Sequence, residues 1–253
     1  MLHLTYSLWA AITAAPPVKL LLVGPAGCGK SVFAAQVHRL FASDAPSTTS
    51  ASCPSSSASS YQPTVGLNVV RATVEGTSLL LWDMGGDPAL RPLWETYFQQ
   101  CDGIVVMVDG AALLSDDAAS ATSDDARAIL FGVLRRPELE HVPVCLVATR
   151  SDAVPRMTAA DVYMRMGIER FVADQMSSLA ARRGMREADP LRLAEGTAAG
   201  SGAMGLPSGR LFRCVVASGL TGAGVREAMQ WFVSLVAVNA KSAIGGTAGG
   251  GGV

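Results

Sequence analysis

Apolar residues along this chain fall into two alternating rhythms. Short, nearly continuous apolar runs occupy 18–23 (VKLLLV), 67–74 (LNVVRATV), 78–83 (SLLLWD), 104–109 (IVVMVD), 143–148 (PVCLVA) and 212–217 (FRCVVA). Runs of that length and density predict strands covered on both faces. The second rhythm is helical. Phe33, Val37, Leu40 and Phe41 line one face of 30–41, and Val225, Met229, Phe232 and Val236 line one face of 223–238. Residues 158–180 predict a third helix, opened by Thr158 with Asp161 three positions later in the spacing of a capping box. Strand–helix alternation with buried strands predicts a three-layer α/β fold around a mostly parallel sheet.

Three segments break the pattern. Residues 43–60 (SDAPSTTSASCPSSSASS), residues 196–209 (GTAAGSGAMGLPSG) and the tail from Gly245 have nothing with which to build a core, and are expected as surface insertions or ends. The first fifteen residues are apolar and stop at Pro16-Pro17. As a helix they stack Leu4, Leu8 and Ile12, with Tyr6 and Trp9 beside them; as a strand they alternate Leu2, Leu4, Tyr6 and Leu8, so the period alone does not decide. No Lys or Arg precedes Lys19, which argues against a secretory signal, and Leu2 excludes N-myristoylation. No run reaches the roughly 18 apolar residues of a membrane span. Residues 1–17 are expected to form an interfacial, membrane-contacting segment, the alternative being a segment packed on the domain.

Composition narrows the classes. With 253 residues, 49% hydrophobic and 16% charged, the chain suits one domain with a sizeable core plus appended sequence. A net charge of -1 without any Lys/Arg block gives no case for nucleic acid. Cys28, Cys53, Cys101, Cys145 and Cys214 form no CxxC pair, so a reduced, intracellular compartment is expected. The three histidines are scattered, which argues against a His-based metal site.

The chemistry starts directly after the first strand, with GPAGCGKS over Gly24–Ser31. This fits G-x-x-x-x-G-K-[ST], a loop whose glycines let backbone N–H groups wrap a phosphate chain. The amides of Ala26, Gly27, Cys28, Gly29 and Lys30 would point inward, at the start of a helix whose dipole favours anions. Lys30 would reach the β- and γ-phosphates, and the Ser31 hydroxyl would bind Mg²⁺. The loop does not name the base, and its wording also resembles that of ring-forming AAA-type ATPases. Such an ATPase would end an apolar strand in Asp-Glu. Here the comparable strands end in Asp109-Gly110 and at Asp83, without the glutamate.

Further motifs follow in order: QPTVGLNV (62–69), WDMGGD (82–87), RPLWETYFQQCDGIVVMVDG (91–110), ATRSD (148–152) and ASGLTGAGVREAMQWF (217–232). Together they resemble the small GTPases of the Arf family over roughly 18–42, 61–183 and 211–238. TVGLN, LWETYFQQCDGIV and LTGAGVREAMQW are most similar to the Golgi branch of Arf-related proteins. The resemblance implies a P-loop GTPase fold with a six-stranded, mostly parallel sheet. The G domain would span 18–238, with insertions near 43–60 and 184–210 and a disordered Gly-rich tail over 239–253.

It also implies roles, residue by residue. Thr64 completes the Mg²⁺ shell and senses the γ-phosphate; Asp83 holds Mg²⁺ through water; the Gly86 N–H touches the γ-phosphate. Asp152 reads guanine N1 and N2, and Ser218 and Gly219 form the loop over the base. Leu67, Trp82 and Tyr97 fall where the family meets exchange factors, activating proteins and effectors, although Leu67 and Trp82 read equally well as core. The implied protein is a monomeric GTP/GDP switch, cytoplasmic and peripheral on trans-Golgi membranes. It would recruit partners in vesicle traffic and attach through residues 1–15, to the membrane or to a membrane receptor.

Four departures from the family pattern bear on that expectation. Thr149-Arg150 replaces Asn-Lys before Asp152; the hydroxyl can supply part of the asparagine's bonding and the Arg150 stem can lie on the base. Ala26 replaces an aspartate, and two insertions are long. Finally, Asp87 stands where the family glutamine orients the attacking water. An aspartate is shorter, is anionic beside an anionic phosphate, and lacks the amide's paired donor and acceptor. Catalysis would rest on Lys30, Gly86 and Asp87, with hydrolysis slow, making a weak GTPase or, in the alternative reading, a non-hydrolysing GTP-binding scaffold.

Overall fold

The structure is a computed structural model, and it describes residues 15–42, 64, 66–115, 121–183 and 203–245. The N-terminal segment to residue 14, all of the 43–60 insertion, residues 116–120, most of the 184–210 insertion and the last residues of the tail lie outside these. In chain order the elements are β1 (Val18–Val23), α1 (Lys30–Phe41), β2 (Leu67–Val74), β3 (Thr77–Met84), α2 (Trp94–Phe98), β4 (Gly103–Asp109) and α3 (Gly110–Leu114). There follow α4 (Ala121–Leu134), β5 (Val144–Thr149), α5 (Ala159–Met166), α6 (Ile168–Arg183), β6 (Ala203–Gly205), β7 (Leu211–Val216) and α7 (Val225–Gly245). Single 3₁₀ turns span Pro88–Leu93 and Pro137–Leu139.

The strands form one sheet in the order β2-β3-β1-β4-β5-β7-β6. Its five inner strands are parallel, and β2 and β6 run antiparallel at the two edges. All six predicted strands form. The seventh, β6, joins through a turn in which Leu206 N–H bonds Arg210 O at 2.8 Å. The end of the 196–209 segment, expected to be loop, therefore folds onto the sheet. Buried Leu206 is its apolar anchor, and Arg210 is its polar one: 2% exposed, its guanidinium donates to the carbonyls of Val133 and Arg136 at the end of α4.

Burial explains the two rhythms. In β1, Leu20 and Leu22 face α1 and α7, whereas Leu21 and Val23 face α2 and α4–α6, so every position from Leu20 onward is apolar and buried. Only β2, on the edge, alternates, with Val70, Ala72 and Val74 buried. The predicted faces of α1 and α7 meet the sheet through Phe33, Val37, Phe41, Val225, Met229 and Phe232.

Three expectations need correction. The helix read over 158–180 is two helices, because Gly167 takes the left-handed conformation at φ 72, ψ 28 and ends α5; the Thr158–Asp161 capping box does open it. The last helix spans Val225–Gly245 and so passes 238, where Ala-Lys-Ser-Ala-Ile offers no proline or glycine to break it. Helix α4 was not anticipated, although Ala126, Ile129, Leu130 and Val133 carry its buried stripe. Among the described residues no helix is long and apolar enough to cross a membrane.

Candidate functional site

The carboxyl ends of β1, β3, β4, β5 and β7 lie along one edge of the sheet. The chain leaves β1 to build β3 on one side and β4 on the other, which opens a crevice at the tip of β1. The GPAGCGKS loop occupies that tip. Gly29, in the left-handed conformation at φ 92, starts α1 without any side-chain cap, and no acidic residue sits in the first turn. The helix N–H groups are thus left for an anion. Lys30 is 6% exposed, and its ammonium donates to the Gly24 and Pro25 carbonyls at 3.0 and 2.7 Å, without a carboxylate ion pair among the described residues. A buried cation held by neutral carbonyls is costly and attracts a negative ligand. Ala26 and Gly27 are exposed at the lip. The Cys28 side chain is fully buried, its sulfur accepting from Lys30 Nζ at 3.8 Å, and burial raises the thiol's pKa.

Two more segments close on this loop. Thr64, before β2, shares a hydroxyl–hydroxyl hydrogen bond of 2.8 Å with Ser31. Gly86, after β3, lies so close that an added Cβ would sit 2.5 Å from Lys30 Nζ and 2.6 Å from both Ala26 N and Gly24 O. Below them Asp83 is fully buried, and neither carboxylate oxygen makes a hydrogen bond of normal geometry. Burial raises its pKa, while the Ser31 and Thr64 hydroxyls and the Lys30 charge pull the other way. Two hydroxyls and an unsatisfied carboxylate are oxygen donors of the kind a hard divalent cation takes, so the predicted set of Ser31, Thr64 and Asp83 fits Mg²⁺.

The loop after β3 is held by residues that the sequence did not single out. Trp94 Nε1 donates to Gly85 O at 3.1 Å and Arg91 donates to Gly86 O at 3.3 Å. Arg91 is itself gripped by both oxygens of Asp125 on α4, at 2.7 and 2.5 Å. Asp87 is exposed, and its carboxylate accepts the Ala89 N–H at 2.8 Å, capping the 3₁₀ turn that begins at Pro88. This side chain, a catalytic candidate by position, serves here as a cap.

On the other side, the ends of β5 and β7 carry the residues expected to read the base. Thr149 is buried, with its hydroxyl 2.8 Å from Cys28 O and 3.1 Å from Val108 O, so it ties β5 to the phosphate loop. Arg150 sits at φ 62, a conformation that costs a non-glycine residue about 1–2 kcal/mol. Its ion pair with Asp109 at 2.6 Å and its bond to Gly27 O at 3.1 Å hold it there. Asp109 also caps α3, and it too was not foreseen. Asp152 is exposed, and its Oδ1 accepts from the fully buried Ser218 at 2.5 Å. Ser218 in turn accepts from the amides of Leu220 and Thr221, and Gly219 packs on Val32 of α1. The predicted phosphate, metal and base residues therefore meet around one crevice.

Leu67, Trp82 and Tyr97 gather on one face of the sheet. The Trp82 and Tyr97 rings meet edge-on at 5.2 Å. Trp82 is a core residue at 8% exposed, whereas Leu67 and Tyr97 are half-buried.

Residues 46–191 match the ADP-ribosylation factor family. Over 243 residues the chain is 25% identical to ADP-ribosylation factor-like protein 3 of Saccharomyces cerevisiae, covering 96% of this chain and 97% of that protein. It is 28% identical over 152 residues to ADP-ribosylation factor-like protein 1 of Drosophila melanogaster, covering 60% and 72%. Its fold is similar to that of the Arl6 (BBS3) small GTPase of Trypanosoma brucei, solved with the nucleotide analogue GppNp. The TM-score is 0.54 at 19% identity, over 88% of this chain and 98% of that one.

Proposed function

The chain belongs to the ADP-ribosylation factor family of small GTPases, which act as nucleotide-dependent switches, and we propose that it binds GTP and GDP with Mg²⁺, recruits partners to Golgi membranes and hydrolyses GTP slowly. The observation that carries the switch is the double closure on the phosphate loop, by Thr64 through Ser31 and by Gly86 against Lys30 and Ala26. A γ-phosphate held by Lys30, the Thr64 amide and the Gly86 N–H would keep both segments in place, and its loss would free both. Mg²⁺ bound at Ser31 and Thr64, with Asp83 behind a water, would neutralise phosphate charge.

Base choice rests on Asp152. A carboxylate accepts from the guanine N1 and N2 groups, whereas adenine would leave it unpaired. Thr149 and Arg150 act beneath it by holding β5 to the phosphate loop, so guanine selectivity survives the loss of the family's Asn-Lys. The half-buried Leu67 and Tyr97 beside Trp82 supply the surface for exchange factors, activating proteins and effectors. The Golgi assignment is supported by motif likeness, and attachment falls to residues 1–15. Nucleotide released by denaturing the purified protein should be guanine nucleotide; adenine nucleotide would overturn the role of Asp152.

Slow hydrolysis follows from Asp87, whose carboxylate is engaged by the Ala89 amide and offers no donor to a water. The same observation favours a second reading, a GTP-binding scaffold that does not hydrolyse. Asp87→Gln is expected to raise the single-turnover rate by about tenfold, a barrier change of about 1.4 kcal/mol. Asp87→Asn, which keeps the cap and removes the charge, separates capping from water orientation. An unaltered rate in Asp87→Gln would sink the catalytic reading of this position.

A further inference from the structure

A groove of about 590 Å³ lies between α4 and the corner where Gly167 separates α5 from α6, lined by residues that take no part in the nucleotide site. Helix α4 presents Arg127 and Phe131, and Arg135 follows in the turn that ends it, its N–H bonded to Phe131 O at 3.0 Å, so the three, each four positions apart, share one side. The Phe131 ring stacks on Phe171 of α6 at 5.0 Å and 14°, with the Arg135 guanidinium over both rings at 5.8 and 5.7 Å. Across the groove Met164 is 58% exposed, a large apolar side chain standing in solvent.

The rim is cationic. Arg127 is paired with Asp124, but Arg135, Arg165 and Arg170 form no ion pair among the described residues. In a chain of net charge -1 this is a local excess of positive charge around an apolar floor. Glu169 and Asp174 interrupt the rim on the α6 side.

We infer that this groove docks an acidic, amphipathic peptide segment of a partner protein. An aliphatic or aromatic side chain enters between Phe131 and Met164, and flanking carboxylates meet Arg135, Arg165 and Arg170. Arginine on an aromatic floor combines charge-assisted, bidentate bonding to carboxylates with apolar contact. The concave shape suits a side chain better than a flat bilayer. Glu169 and Asp174 would repel a uniformly anionic membrane, while a peptide can set its charges in register and avoid them. The inference does not depend on the nucleotide reading, because no groove residue touches the nucleotide crevice.

The test uses the full chain with its bound nucleotide as bait for a random dodecapeptide library. Selected peptides should combine Asp or Glu with Leu, Phe or Met. Their binding should weaken with salt and fall by about tenfold or more in the double variant Arg135→Glu, Arg165→Glu. Nucleotide content should stay unchanged in that variant. Met164→Glu, at a solvent-exposed position, provides a second variant with the same expected loss should the double variant fold poorly. An absence of acidic consensus, or peptides that bind the variants as well as the parent, would overturn the proposal. So would binding seen only to vesicles of phosphatidylcholine and phosphatidylserine and lost in the variants, which would make the groove a lipid contact.

Discussion

Asp83→Asn is expected to stabilise the nucleotide-free protein and to weaken its hold on Mg²⁺ and nucleotide. The carboxylate is fully buried without a well-formed hydrogen bond, and burial lifts its pKa above the ordinary 3.8. Between pH 3.8 and the raised pKa the native state then binds more protons than the unfolded chain. Stability attributable to this group is greatest at the acid end and falls as pH rises through the raised pKa, opposite to the usual surface carboxylate. An asparagine removes the charge and keeps the shape, and relief of an unsatisfied buried group is worth about 1–3 kcal/mol. Thermal unfolding in the presence of a chelator should show the gain at neutral pH and its disappearance in acid. With Mg²⁺ present the sign reverses. A carboxylate acting behind a metal-bound water typically contributes about 10–100-fold to metal affinity, so nucleotide release should accelerate on that scale. If the variant melts lower without metal and releases nucleotide at the parental rate, Asp83 is a structural residue and not a metal-site one.

Gly86→Ala is expected to lower affinity for a non-hydrolysable GTP analogue while sparing GDP. The new methyl group would approach Ala26 N and Gly24 O to 2.6 Å, and these are backbone atoms of the phosphate loop that cannot rotate away. Lys30 Nζ, at 2.5 Å, is fixed by its own carbonyl partners. The segment after β3 must therefore lift. Overpacking of this kind costs about 1–3 kcal/mol, or roughly 10–100-fold in a binding constant. The loss should fall on the triphosphate, since GDP offers this peptide nothing to touch. Equal losses for GTP analogue and GDP would mean that the methyl group distorts the phosphate loop itself.

The sequence disclosed most where a physical requirement is local. Inner strands covered on both faces are mostly apolar, and the edge strand β2 still shows its alternating face, so all six were legible, and the phosphate loop is contiguous and followed by its helix. It disclosed less where structure depends on a partner far along the chain. Arg91 and Asp125 are 34 positions apart, and no spacing rule links them. Asp109 looks like the polar end of a strand until Arg150 folds back onto it. Strand β6 is only three residues, Ala-Met-Gly, without an apolar run to announce it, and it pairs along the edge that β7 offers. Gly167 was visible, but apolar periodicity continues across it, and only its left-handed backbone reveals the corner between α5 and α6. At position 87 the sequence shows an aspartate where the family resemblance expects a glutamine, and the structure shows its carboxylate capping the 3₁₀ turn.

The grip of Asp125 on Arg91 also bears on timing. The peptide that would feel the γ-phosphate is fastened through Arg91 to α4, a long helix packed in the core. A bidentate ion pair is made or broken as a unit, so any movement of the segment after β3 away from α4 gives up both Arg91–Asp125 hydrogen bonds together. In the proposed switch α4 would act as a latch, and the surface around Tyr97 is expected to change in one step when that pair opens.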